Sequence, residues 1–268
     1  MSELFLTIPH SGRKIPPEAF WLKTLPQSVL CCDVDAFVDE LYAPTIKQLN
    51  LTSFLFPWHR YAVDVNRFPE DRTCQTVEGA PLHLSDETPS EIHWHKTTKG
   101  DFLIKKPLSK KRHQQLINKY YNPFHRKIQE EFKKRKRQGS VYLLDLHSMP
   151  SIGEDFHRDR GQKRAQIVIG NRKGHSSEHK FLELVLSSYK RVGFEVVLNQ
   201  PYQGGRITEF YGSPKEGQHA LQVEINRSLY MKEGTNQKTS SFSVIQNQLN
   251  EALMQIVKEL KDLNPQMT

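Results

Sequence analysis

Acid–base and metal-binding side-chain types stand beside runs of strand formers at four places in this 268-residue chain. Pro9-His10-Ser11-Gly12 follows the run Leu4 to Ile8, and Asp145-Leu146-His147-Ser148-Met149 closes the run from Val141. Val223-Glu224-Ile225-Asn226-Arg227 ends a third run, and Asp33-Val34-Asp35 precedes a helical pattern. In open α/β sheets the carboxyl ends of strands converge on the crevice that binds ligands. Two histidines plus an acidic residue, far apart in sequence but each on a rigid element end, match a catalytic zinc site with three protein ligands and one open position. Glu224 is then available as general base and acid on a water. Asp145 alternates with His147, so both face the same side of their strand and the carboxylate can hold the imidazole from behind.

Each residue also has a structural reading. A histidine at a strand end is commonly a satisfied polar residue, and Asp35 before a helix can serve as its N-cap. Glu224, between Val223 and Ile225, needs a partner if buried, and Arg227 can supply one. Ser148 lacks the G-x-S-x-G elbow of a nucleophilic serine. His83, His93 and His95 lie in a polar stretch and read as solvated. Gly204-Gly205 fits no phosphate-binding loop, which argues against a nucleotide cofactor. Arg67, Arg206 and Arg227 each stand near a strand end or the paired glycines. An arginine fork clamps carboxylates, so each is either a clamp for an acidic amino-acid derivative or a structural partner of a nearby aspartate.

The elements that must position these residues follow from periodicity. Strands are expected at Leu4–Ile8, Leu51–Phe56, Tyr61–Val65, Val141–His147, Ala165–Gly170, Phe194–Leu198 and Ala220–Ile225. Helical spacing covers Asp35–Leu49, Leu108–Arg137 with a kink or break at Pro123, residues 178–191, and about Ser240–Leu263. Strands alternating with helices give an α/β fold: three α/β/α layers around a mixed, mostly parallel sheet. The whole chain, 1–268, reads as one domain with a loop-rich insertion at about 70–104.

Composition narrows the class. The 38 Lys+Arg against 30 Asp+Glu give a net charge of +8, which invites a nucleic-acid partner, but Lys133 to Arg137 alone carries five of those charges and no nucleic-acid motif accompanies it. Cys31, Cys32 and Cys74 have no C-x-x-C spacing and suit reduced thiols. There is no long apolar stretch and no signal-peptide pattern, so a soluble cytoplasmic protein with no membrane partner is expected.

At these residues the chain resembles the N-formylglutamate amidohydrolase family. The resemblance runs in order through Ile8 to Gly12, Asp33-Val34-Asp35, Arg60 to Arg67, Tyr121 to His125, Asp145 to Met149, Val168 to Arg172, Pro201 to Gly205 and His219 to Met231. It implies a phosphorylase/hydrolase-like core, similar to zinc carboxypeptidases and zinc N-acetylmuramoyl-alanine amidases. It also implies zinc-dependent hydrolysis of N-formyl-L-glutamate to formate and L-glutamate, the last step of one histidine-degradation route. By position, His10 and His147 resemble metal ligands, one of Asp33 and Asp35 the third, and Glu224 the catalytic carboxylate. Arg67, Arg172, Arg206, Arg227 and Asn226 are candidates for holding the substrate. The chain departs from the family with Ala36 after the aspartate pair and Arg206 after the paired glycines. A related N-acyl amino acid or a muropeptide-like amide is the alternative substrate, and a non-catalytic ligand-binding or nucleic-acid-binding protein the alternative class.

Overall fold

Alternation along the strands decides what each face of the sheet carries. The computed structural model describes residues 3–82, 91–155 and 157–263. Among them β1 (Leu4–Ile8), β2 (Ser53–Leu55), β3 (Val141–Met149), β4 (Ile167–Gly170), β5 (Val196–Leu198) and β6 (Gln218–Asn226) form a sheet in the order β2-β1-β3-β6-β4-β5. The pairings are parallel except β4 against β6. The helices are α1 (Gln27–Leu30), α2 (Val38–Gln48), α3 (Lys110–Leu116), α4 (Asn122–Lys136), α5 (His179–Arg191), α6 (Arg206–Tyr211) and α7 (Phe242–Leu263).

Leu4, Leu6 and Ile8 of β1, Tyr142, Leu144 and Leu146 of β3, and Leu221, Val223 and Ile225 of β6 share a core with α2, α5 and α7. The opposite face begins apolar, with Phe5, Val141, Leu143 and Ala220 packed among α3, α4 and α6. Towards the strand carboxyl ends that second face turns polar: Thr7, Asp145, His147, Gln222 and Glu224 occupy positions where the two-residue period calls for more core, and all are buried. The three-layer α/β expectation holds, and one face of the sheet ends in a cluster of buried polar side chains.

Several boundaries differ from the sequence reading. Tyr61–Val65 is not a strand. It is a buried loop whose backbone pairs with a distant segment, Asp64 N–H donating to Ile92 O at 2.8 Å and Trp94 N–H to Tyr61 O at 3.3 Å. Burial of the whole segment produced the strand-like apolar pattern. The long helix from Leu108 is split by a π-turn, Ile117–Tyr121, immediately before Pro123, whose missing N–H is tolerated in the first turn of α4. The first central helix starts at Val38 rather than Asp35, because Phe37 is left-handed (φ 67°) and breaks the helical path. Residues 70–82 and 91–104 are irregular, with isolated bridges such as Val77 to Leu108. His83 lies outside the described residues. His93 is not solvated but fully buried, sharing hydrogen bonds with Ala62 O (2.6 Å) and His113 (2.9 Å). The basic block at the end of α4 is not one free patch either: Arg135 is buried against Glu131 and Phe5, and Lys136 pairs with Glu216. No helix among the described residues is long and apolar enough to cross a membrane.

One tertiary contact repairs a helix defect. Pro44, inside α2, has no N–H for Glu40 O, and its ring crowds that carbonyl. The opened turn is closed from α7. Gln246 Nε2 donates to Glu40 O at 2.9 Å, and the Asn250 amide bridges the next turn, donating to Leu41 O at 2.7 Å and accepting from Thr45 N–H at 2.8 Å. Asn250→Ala leaves that N–H and C=O buried without partners and is expected to lower stability by about 2–4 kcal/mol. Urea denaturation checks this against Glu251→Ala on the exposed side of the same helix, expected to change stability by less than about 0.5 kcal/mol.

Candidate active site

Pro9 ends β1 and places His10 just beyond it, while His147 stands near the end of β3. The loop carrying Asp35 is tied to the same place, because Asp35 N–H donates to His10 O at 3.1 Å. The metal-binding atoms of His10, Asp35 and His147 lie within 4.8 Å of one another, and all three residues are buried. His147 Nδ1 is 3.1 Å from Asp35 Oδ2, and His10 Nδ1 is 3.6 Å from the same oxygen.

Each imidazole is aimed by a carboxylate behind it. His10 Nε2 lies 2.7 Å from Asp64 Oδ1, and His147 Nε2 lies 2.8 Å from Asp145 Oδ2. A carboxylate only accepts, so both Nε2 atoms carry hydrogen, and both Nδ1 atoms face the space beside Asp35. His10 Nδ1 is buried there with no hydrogen-bond partner. Burial pushes the pKa of His147 down, but the charge and hydrogen bond of Asp145 and the hydrogen bond to Asp35 hold it well above the usual histidine value. Burial likewise raises Asp35, yet the neighbouring His10 and His147 imidazoles and the Arg227 charge hold it well below the usual carboxylate range. This space therefore favours positive charge. Two imidazole nitrogens and one carboxylate oxygen are a donor set that suits zinc.

Glu224 is the register partner of His147 on the neighbouring strand. Its pKa is pushed up to about 7, chiefly by burial, with His147 opposing and Asp35 adding to the rise. Gln222 Nε2 donates to Glu224 Oε1 at 2.7 Å. Arg227 does not pair with Glu224. Its guanidinium holds Asp35 at 2.9 Å and donates to Ser148 Oγ and Cys32 O, which places it as a support for Asp35 rather than a free clamp.

The other sequence candidates separate. Asp33 turns away from the histidines and accepts from Tyr61 Oη at 2.5 Å and from the Thr98 backbone N–H at 3.2 Å. With Cys32 and Glu154 it forms a second compact group, with the Thr98 hydroxyl within hydrogen-bond reach of both carboxylates. Burial, then Asp33 and Glu154, push the Cys32 thiol up to about 12. Asn226 is held by Arg164 O and Ser228 N–H. Arg172 pairs with Glu209 and lines a cavity of about 320 Å³ with Lys173, His175, Ser176 and Gln203, a lining that contains neither His10 nor His147. Arg67 and Arg206 differ from these. Among the described residues neither meets a carboxylate within ion-pair distance, and each has a buried Nε without a partner. Arg206 is packed against the rings of Phe68, Tyr121, Phe210 and Tyr211.

Sequence reasoning assigned no role to Asp64, Arg60 or Gln222. Asp64 is fully buried, and besides His10 it accepts from Arg60 Nη2 at 2.9 Å, Trp94 Nε1 at 3.0 Å and Asn66 N–H at 2.9 Å. The one available signal was a carboxylate inside the apolar stretch Tyr61–Val65, which demands partners if buried.

Residues 2–231 match the family described as N-formylglutamate amidohydrolase. The chain belongs to that family. Similar relatives include the N-formylglutamate deformylases of Pseudomonas aeruginosa, 25% identical over 245 residues, and Pseudomonas putida, 26% identical over 234 residues; each alignment covers 86% of this chain and 82% of the relative. The crystal structure of N-formylglutamate amidohydrolase from Ralstonia eutropha JMP134 has a TM-score of 0.87 at 27% identity, covering 97% of this chain and 95% of that one. The gene product Atu2144 from Agrobacterium tumefaciens shares the fold with a TM-score of 0.69 at 18% identity, covering 97% and 92%.

Removing the carboxylate behind His10 should be felt by the fold itself. Asp64→Ala strands a buried guanidinium along with three other donors, and a loss of about 3–5 kcal/mol is expected. Chemical denaturation in the presence of a chelator measures it, and a loss below about 1 kcal/mol would contradict the description of Asp64 as the hub of this network.

Proposed function

We propose that this chain hydrolyses the amide bond of N-formyl-L-glutamate to formate and L-glutamate, with a divalent metal ion, zinc, held by His10 Nδ1, Asp35 and His147 Nδ1. The observation that carries this reading is the pair of imidazoles whose outer nitrogens are taken by Asp64 and Asp145 while their inner nitrogens converge on Asp35, next to Glu224. Family membership supplies the reaction class, and the names of the relatives supply the substrate.

When bound, zinc polarises the amide carbonyl and brings the pKa of water to about 7. Glu224 takes a proton from the water that attacks the formyl carbon and returns it to the leaving nitrogen as the C–N bond breaks. Burial, which pushes the pKa of this carboxyl up, favours its holding the proton between the two transfers. Asp64 and Asp145 keep the two imidazoles in one tautomer and orientation throughout. Arg67 and Arg206, each with an Nε unpartnered among the described residues, are the arginines we assign to the substrate carboxylates. Arg227 and Arg172 are engaged by Asp35 and Glu209 and drop out of that role.

We also read the chain as one working unit. Its three free cysteines fit a reducing compartment such as the cytoplasm, where this reaction would close a histidine-degradation route.

Glu224→Gln is expected to retain its metal while kcat for N-formylglutamate falls about 10²–10⁴-fold. Activity of the unaltered protein is expected to disappear on chelation and return with added zinc. Near-normal turnover of Glu224→Gln, or full activity in excess chelator, would overturn the mechanism.

A further inference from the structure

Glu224 has a neighbour whose orientation is fixed without reference to Glu224 itself. Gln222 stands two residues earlier on β6, on the same face, and both side chains are buried. Its Oε1 accepts from the backbone N–H of Gly205 at 2.7 Å. A backbone N–H can only donate, so the oxygen of the amide must be on that side and the Nε2 hydrogens must face Glu224. Asn66 reinforces the choice. Its own Oδ1 accepts from the Ile207 N–H at 2.8 Å, which turns Nδ2 towards Gln222 Oε1 at 3.4 Å, beside the His147 ring. Two backbone N–H groups at the start of α6 therefore set both amides, and the Gln222 amide donates to Glu224 Oε1 at 2.7 Å. Glu224 Oε2 has no protein hydrogen bond among the described residues. Gly205 is the close point of this arrangement, since a Cβ there would lie 2.4 Å from Asn66 Nδ2.

We infer that Gln222 is a positioning residue. It pins Oε1 of Glu224 from the Gly205 side and leaves Oε2 as the oxygen that accepts the proton from water and returns it to the leaving nitrogen. The inference rests on the proposed role of Glu224. A carboxylate with both oxygens free can rotate about its terminal torsion, a broad and soft coordinate. One short hydrogen bond from a locked amide removes that freedom and keeps one oxygen on the reaction side. The role reaches the chemistry only through Glu224, so it belongs to kcat rather than to substrate affinity.

The test is a kinetic cycle on the zinc-loaded enzyme with N-formylglutamate, using Gln222→Met, Glu224→Gln and the double variant. Metal content and thermal melting are measured for each. Gln222→Met is expected to lower kcat about 10–100-fold with KM within about two-fold of the parent. Placed on Glu224→Gln, the same change should cost less than about two-fold more, because the group it orients is already gone. Gln222→Glu keeps an acceptor for Gly205 N–H and Asn66 but no longer supplies an obligate donor, and it covers the case in which the methionine variant does not fold. It too should lose at least about ten-fold in kcat. The inference is overturned if either single variant keeps parental kcat, if the loss appears in KM alone, or if Gln222→Met slows Glu224→Gln as much as it slows the parent. Parental turnover by Glu224→Gln would instead overturn the role of Glu224 on which the inference stands.

Discussion

Two buried carboxylate–imidazole hydrogen bonds organise this molecule. Asp64 on His10 Nε2 and Asp145 on His147 Nε2 fix the orientation of each ring, and so decide that both Nδ1 atoms face one space beside Asp35. Each carboxylate is held in turn: Asp64 by Arg60 and Trp94, Asp145 by the Thr7 hydroxyl at 2.7 Å, and Asp35 by Arg227. Burying this many charged groups is costly unless each is paired and hydrogen-bonded, and here nearly every atom is. At the centre, His10 Nδ1 is buried without a hydrogen-bond partner among the described residues.

The fold serves that arrangement by interrupting its own core. On one face of the sheet the alternation of β1, β3 and β6 stays apolar to the end and packs on α2, α5 and α7. On the other face it is apolar only as far as Phe5, Leu143 and Ala220, and the positions that follow are Thr7, Asp145, His147, Gln222 and Glu224. Parallel pairing in register puts these at one level: Thr7 beside Asp145, Asp145 beside Gln222, His147 beside Glu224. Loops then complete the shell. The segment around Phe37 delivers Asp35, and the buried loop from His59 to Asn66 delivers Asp64 and Asn66.

What could be read from sequence follows the same division. β1, β3, β6, α5 and α7 were legible because their hydrophobic period is local. His10, His147 and Glu224 were legible because a polar group at the end of an apolar run is conspicuous. That Asp35 rather than Asp33 lies beside the two histidines was not, since it depends on a left-handed Phe37 and on backbone contact with His10. Asp64 was hidden because a buried loop has the apolar density of a strand, and its partners Ile92 and Trp94 lie about thirty residues away. The direction of β4 is equally non-local, being set by pairing with β6. The arginines needed the structure as well: among the described residues Arg172 and Arg227 met carboxylates, and Arg67 and Arg206 did not.

The central claim concerns which atoms hold the metal, and anomalous diffraction at the zinc absorption edge from crystals of the zinc-loaded protein tests it most directly. The account predicts a single strong peak about 2.0–2.1 Å from the Nδ1 atoms of both His10 and His147 and at a similar distance from an Asp35 oxygen. Ligation through either Nε2, or a peak at Cys32, Asp33 and Glu154 with none between the histidines, would contradict it.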